Sequence, residues 1–130
     1  MRQTLPKSNI LRGYKRFSRV LHEGSSLSGE NLLCFVAPSV EANNRNIVVG
    51  FSVPKKIIPL AVHRNAIRRL IREAVRKHIH ELEDALKINN KKVDVVLMIK
   101  NNRLTRDREI SVDAIEDDWL IFQREIEKMI

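Results

Sequence analysis

Apolar residues recur along this chain at two different periods, and the switches between them divide it into elements. Leu11, Tyr14, Phe17, Val20 and Leu21 stand three and four apart, which predicts a short amphipathic helix over about 11–23 with Gly24 at its stop. Leu32 to Val36 is an apolar run that ends at Pro38, short enough for a buried strand. After the turn-rich stretch Glu41 to Asn46, Ile47 to Val53 reads as a second strand rich in β-branched residues. Pro54 and Pro59 bracket a tight connection, and from Ala61 to about Leu86 no Gly or Pro interrupts a run of helix formers. Val93 to Ile99 is apolar apart from Asp94, as a strand buried on both faces requires. Asn101 to Glu109 reads as a polar loop. Ser111 suits the N-cap of a last helix, with Asp113, Glu116 and Asp117 near its positive end. Val112, Ile115, Trp119, Phe122, Ile126 and Met129 give that helix one apolar stripe. The order is α, β, β, α, β, α, with room for one more strand in residues 24–31. It predicts an α/β or α+β sandwich with helices covering a small sheet.

Composition bounds the class. The 130 residues allow one domain, 1–130, with no repeat or linker to divide it; its ends, about 1–10 and 128–130, are expected to be flexible. At 43% hydrophobic and 31% charged the chain reads as soluble and globular. It has no apolar run of 18 residues for a membrane span. Its basic beginning lacks the apolar stretch of a secretory signal. Cys34 is the single cysteine, so no internal disulfide framework or cysteine-based zinc knuckle is possible. The expected location is cytoplasmic.

Charge sharpens the picture. The formal net charge of +8 is unevenly spread. Residues 1–20 hold six basic residues and no acid, and residues 55–77 hold eight basic residues against Glu73 alone. Residues 78–130 hold 9 basic and 12 acidic residues. Such polarisation concentrates polyanions at one face. At about 100° per residue from Arg64, the side chains of Asn65, Arg68, Arg69, Arg72 and Arg76 fall within roughly 140° of arc, while Ile67, Leu70, Ile71 and Ala74 fall on an adjacent arc. One face is therefore core and the next a strip of guanidinium groups. Like charges one turn apart repel, and a polyanion laid along the strip removes that cost. Arginine also offers phosphate a planar fork and can stack on bases, which lysine cannot.

The stretch Val48-Val-Gly-Phe-Ser-Val-Pro-Lys-Lys56, followed by Ala61-Val-His-Arg-Asn-Ala-Ile-Arg-Arg-Leu-Ile-Arg-Glu-Ala-Val-Arg76, resembles the protein-subunit family of bacterial ribonuclease P. The Arg-Asn-x-x-(Lys/Arg)-Arg-x-x-Arg pattern after a Lys-Lys pair is specific to it. Phe17-Ser-Arg-Val20 before Gly24 resembles the family's first helix, and Val93 to Ile99 its last strand. The likeness covers most of residues 11–126. It implies an α+β fold: a two-layer αβ sandwich with a small mixed sheet, like a ribosomal-protein domain, with a left-handed βαβ crossover. It implies a subunit that binds the ribonuclease P RNA and the 5′ leader of precursor tRNA to assist endonucleolytic removal of the leader. The RNA performs the hydrolysis with Mg²⁺ held mainly by RNA; the protein supplies no catalytic residue and binds no metal of its own, and neither DNA nor membrane is an expected partner. The implied RNA-binding residues are Lys55, Lys56, Arg64, Asn65, Arg68, Arg69 and Arg72, and the helical strip adds Arg76. Phe17 and Phe35 match aromatics of a leader-binding cleft, where aromatic faces hold single strands without sequence readout; packing in the core is the other reading of both. Two departures stand out. Leu21 occupies a position where many family members carry a second aromatic, and the spacer Ile57-Ile-Pro-Leu60 is one residue longer and lacks glycine.

Other constellations are weaker. His78 and His80, two apart on a helix, point in different directions. His63 reads as a surface histidine and Cys34 as a small buried hydrophobe. Asp113, Glu116, Asp117 and Asp118 suggest a cation site in principle, though the helix dipole explains them more simply. The competing functions are a ribosomal or other structural RNA-binding protein using the same helix, and a metal-dependent nuclease built on those acids.

Overall fold

Strand alternation sorts the interior into two layers. The computed structural model describes residues 9–39, 45–100 and 112–130. Its elements are α1 (Tyr14–Glu23), β1 (Ser25–Ser28), β2 (Leu32–Pro38), β3 (Ile47–Ser52), α2 (Ala61–Ile88), β4 (Val93–Ile99) and α3 (Val112–Lys128). The expected order holds, and residues 24–31 do contain a further strand, β1. The expected loop at 101–109, the Ser111 cap and most of the turn before Ile47 lie outside the described residues.

The sheet runs β1-β2-β4-β3, with β1, β2 and β4 antiparallel and β3 parallel to β4. Leu32, Cys34 and Val36, Val95, Leu97 and Ile99, and Ile47, Val49 and Phe51 point to one face. There they meet Ile67, Ile71, Ala74, Ile79, Leu82 and Leu86 of α2 and Ile115, Trp119, Phe122 and Ile126 of α3. The opposite parity, Ala37, Val48 and Val96, meets Leu11 and Val20, with Phe17, Leu21 and Phe35 half-buried beside them. The sheet is thus a shared wall, with α2 and α3 on one side and α1 on the other. That double burial explains why β4 carries almost no polar residue. Met129, the last member of α3's expected stripe, lies past the helix end and is exposed.

Chirality and two hydrogen bonds give the hand of the β3–α2–β4 connection. With α2 and α3 facing the viewer and the strands running upward, an L-residue whose side chain points forward directs its own N–H and C=O to the right. Val93 is such a residue, and its N–H donates to the Asn46 carbonyl just before β3. Val49 is another, and its carbonyl accepts from Leu11 N–H on the outer edge. β3 therefore lies right of β4, and the crossover through the helical layer moves leftward. It is left-handed, against the strong general preference.

Several ends are fixed by particular residues. Gly24 terminates α1 with an extended backbone, φ −76°. Its glycine is required by space: a Cβ there would lie within 3.0 Å of the carbonyl oxygens of Val20 and Val36. Asn90, at φ 53°, turns the chain out of α2, and Lys91 N–H then reaches back to the Leu86 carbonyl. Before α1, Ile10 bridges to Val49, while Asn9 Nδ2 donates to the Ile47 carbonyl and to Glu83 Oε2 on α2.

Candidate nucleic-acid interface

The loop before α2 is shaped by burial of its middle. Ile57 and Ile58 N–H both donate to the Pro54 carbonyl, forming a tight turn that leaves Lys55 and Lys56 exposed. Ile58 inserts fully into the main core and Ile57 packs against it. The longer, glycine-free spacer is thus a hydrophobic anchor for the lysine turn. No side chain caps α2, whose N-cap residue is Leu60. Arg64 ties the preceding loop to the helix: its Nη1 donates to the Ile58 carbonyl at 3.0 Å and the Pro59 carbonyl at 2.7 Å.

The strip on α2 therefore divides by role. Asn65, Arg69 and Arg72 are exposed, and Arg68 is half-exposed with Nη1 donating to Asn65 Oδ1 at 3.0 Å. Arg64 spends part of its donor capacity on the loop. Arg76 is held by Glu73 through two hydrogen bonds, which raise its guanidinium further above its ordinary range. Arg72 lies over the Phe51 ring, its guanidinium carbon 5.7 Å from the ring centroid. The outward cations are thus Lys55, Lys56, Arg68, Arg69 and Arg72, with the neutral Asn65 among them and Arg64 and Arg76 as tethered members. His63 is exposed beside them.

The other face of the sheet carries a groove beside α1. A pocket of 380 Å³ is lined by Phe17, Ser18, Leu21, His22 and Ser52. The register places Ser28, Leu33, Met98 and Ser52 in one row across the sheet, and Ser26, Phe35, Val96 and Gly50 in the next. Phe17 and Phe35 are neither wholly core nor wholly exposed; both are half-buried against the smaller apolar cluster. Phe17 is one of the residues lining that pocket, whereas Phe35 is not and lies in the second of those rows.

Two basic residues of the N-terminal segment act structurally. Arg19 donates to the buried Asp94 carboxylate at 2.8 Å, and Arg16 lies 3.9 Å from it. Asp94 was visible in sequence only as a lone acid in an apolar strand, and Arg19 as one cation among several.

The acids on α3 take separate places. Asp118 is buried, and its carboxylate accepts from the backbone N–H groups of Glu30, Asn31 and Leu32 at 3.2, 2.8 and 3.0 Å. Glu116 faces Lys77 and His78 of α2, each at 3.5 Å. Of the four acids read against the helix dipole, Asp118 and Glu116 thus also have specific partners. Among the described residues, no three His, Cys, Asp or Glu side chains converge as a metal-ligand set. No helix there is long and apolar enough to cross a membrane. Cys34 is fully buried, and burial pushes its thiol up to about 12.

Comparison with known proteins places this arrangement. A family model described as ribonuclease P matches residues 5–120. The ribonuclease P protein component of Chlorobaculum tepidum is 35% identical over 129 residues, covering 97% of this chain and 80% of that one. The solved RNase P protein from Thermotoga maritima aligns with a TM-score of 0.70 at 19% identity, over 89% of this chain and 96% of that one. The RNase P protein of Staphylococcus aureus aligns at 0.61 and 22% identity, over 94% and 97%. At those identities the two structures speak to the fold.

Proposed function

The chain belongs to the ribonuclease P protein family and is a protein subunit of the ribonucleoprotein that matures tRNA 5′ ends; on that premise we propose how its two faces divide the work. The helical face binds the ribonuclease P RNA through Lys55, Lys56, Asn65, Arg68, Arg69 and Arg72, with Arg64 and Arg76 adding charge from tethered positions. The groove beside α1 receives the single-stranded 5′ leader of precursor tRNA against Phe17 and Phe35.

One observation carries this reading: a strip of outward guanidinium groups is mounted on a helix whose adjacent face is fully packed in the core. Because Ile67, Ile71 and Ala74 fix the helix, the cations keep their spacing without a ligand present. Phosphate groups then meet forks already in position, which lowers the ordering cost of binding. On the other face, a half-buried aromatic in a groove offers stacking to any base, suiting a leader of variable sequence.

Guanidinium and ammonium groups do not ligate a divalent cation, so Mg²⁺ in the holoenzyme is assigned to RNA phosphates. The protein's part is to neutralise phosphate repulsion and to orient the leader. We assign it to the cytoplasm, with RNA and not DNA as its nucleic-acid partner.

The test is cleavage of precursor tRNA with Mg²⁺ by the protein alone, by the ribonuclease P RNA alone, and by both. The expected result is no cleavage by the protein alone and stimulation of the RNA at low salt. Stimulation equal for substrates with and without an extended leader would overturn the groove assignment.

A further inference from the structure

Consecutive residues Gly50 and Phe51 on β3 point to opposite sides of the sheet, and each touches a side chain that the reading above assigns to RNA. Gly50 faces α1. Its backbone is not in the left-handed region, so the strand conformation itself does not call for glycine. Glycine in a strand weakens it and marks a close approach. Here the approach is Phe17: a Cβ on residue 50 would lie within 3.0 Å of three atoms of that ring, Cζ nearest. The end of the ring therefore rests on the strand backbone, and the missing Cβ sets how deep Phe17 sits in the wall of the 380 Å³ pocket.

Phe51 faces the helices. Its ring lies under the Arg72 guanidinium at 5.7 Å, while the rest of it packs in the main core. A ring face attracts the cation without accepting a conventional hydrogen bond, so Phe51 confines Arg72 without consuming the donors that a phosphate needs.

We propose that Gly50 and Phe51 are positioning residues: Gly50 seats Phe17 for the leader, and Phe51 orients Arg72 for the ribonuclease P RNA. One dipeptide of one strand thereby serves both RNA surfaces. The inference rests on the assignment of those surfaces above, and its test separates the two.

The experiment uses holoenzyme reconstituted from full-length protein and ribonuclease P RNA. It measures protein affinity for that RNA and the affinity ratio for precursor over mature tRNA. Gly50→Ala is expected to lower the ratio several-fold and leave RNA affinity within about twofold. Adding Gly50→Ala to Phe17→Ala is expected to cause no further loss. Phe51→Leu is expected to weaken RNA affinity about two- to fivefold, the scale of one exposed cation–π contact, leaving the ratio unchanged. It should add nothing to Arg72→Ala, and Phe51→Tyr, which keeps the ring, should bind normally. A packing role alone would lower thermal stability in each variant and give additive losses; that result overturns the proposal. So does a neutral Gly50→Ala beside an impaired Phe17→Ala. If Phe17→Ala and Arg72→Ala are themselves neutral, the surface assignment fails first and the positioning roles fall with it.

Discussion

Arg19 on α1 and Asp94 on β4 form a 2.8 Å ion pair in which the carboxylate is buried. The pair joins the helix that walls the groove to the central strands of the sheet. Removing the cation leaves the buried Asp94 charge with only Arg16, 3.9 Å away, so Arg19→Ala should destabilise the fold by about 3 kcal/mol. Urea unfolding measures it; a loss below about 0.5 kcal/mol, the size of a surface pair, would contradict a structural role.

Asp118 is expected to matter as a backbone acceptor. Three successive N–H groups at the β1–β2 turn depend on its carboxylate. Asp118→Ala should cost about 3 kcal/mol, with faster amide exchange at Glu30, Asn31 and Leu32. Asp118→Asn, which keeps one acceptor oxygen, should lose less. Unchanged exchange at those amides would refute the capping role.

Arg64 and Arg69 should behave differently although one motif contains both. Arg69 is exposed and has no hydrogen-bond or ion-pair partner among the described residues, so Arg69→Ala should weaken RNA binding, flatten its salt dependence by about one counterion, and leave the melting temperature unchanged. Arg64 donates to two carbonyls of the preceding loop. Arg64→Ala should therefore also lower stability by about 1 kcal/mol. Equal melting temperatures for the two variants would show that the Arg64 contacts contribute nothing.

Cys34 should resist thiol reagents in the folded protein. Its thiol titrates near 12 when folded, against an ordinary value of 9.0. The folded state therefore holds the proton more tightly than the unfolded state. The resulting stability is complete below about pH 9 and is lost as pH rises from 9 toward 12. Cys34→Ser should remove that part of the alkaline slope; rapid labelling of the native protein at pH 8 would count against the burial described here.

The elements were readable because two signals were strong. Long apolar periodicities in 61–86 and 112–129 and the unbroken run at 93–99 predicted α2, α3 and β4, and the arginine spacing predicted the exposed strip. What sequence concealed depends on distance. Nothing near Asp94 announces Arg19, 75 residues away, and Asp118 meets its acceptor duties 86–88 residues back. Helical projection placed Arg64 and Arg76 with the other cations, because an angle reports a face and says nothing about hydrogen bonds to a loop or to Glu73. The left-handed connection was legible only through resemblance, since local pattern carries no handedness beyond the general preference. β1 was weak in sequence because Ser25, Ser26 and Ser28 are exposed on an edge strand, where few apolar residues are needed.

The order β1-β2-β4-β3 also constrains how the chain is made. β2 and β3 are separated in space by β4, which follows both in sequence. A nascent chain that has emerged only as far as residue 92 can form the β1–β2 hairpin, but β3 and the long cationic helix after it have no sheet to join. Both pairings of β4 span long stretches of chain, from Leu32–Ile99 to Ile47–Val93. Such closures are slow. During synthesis, the guanidinium strip thus leaves the ribosome before the wall that will hold it.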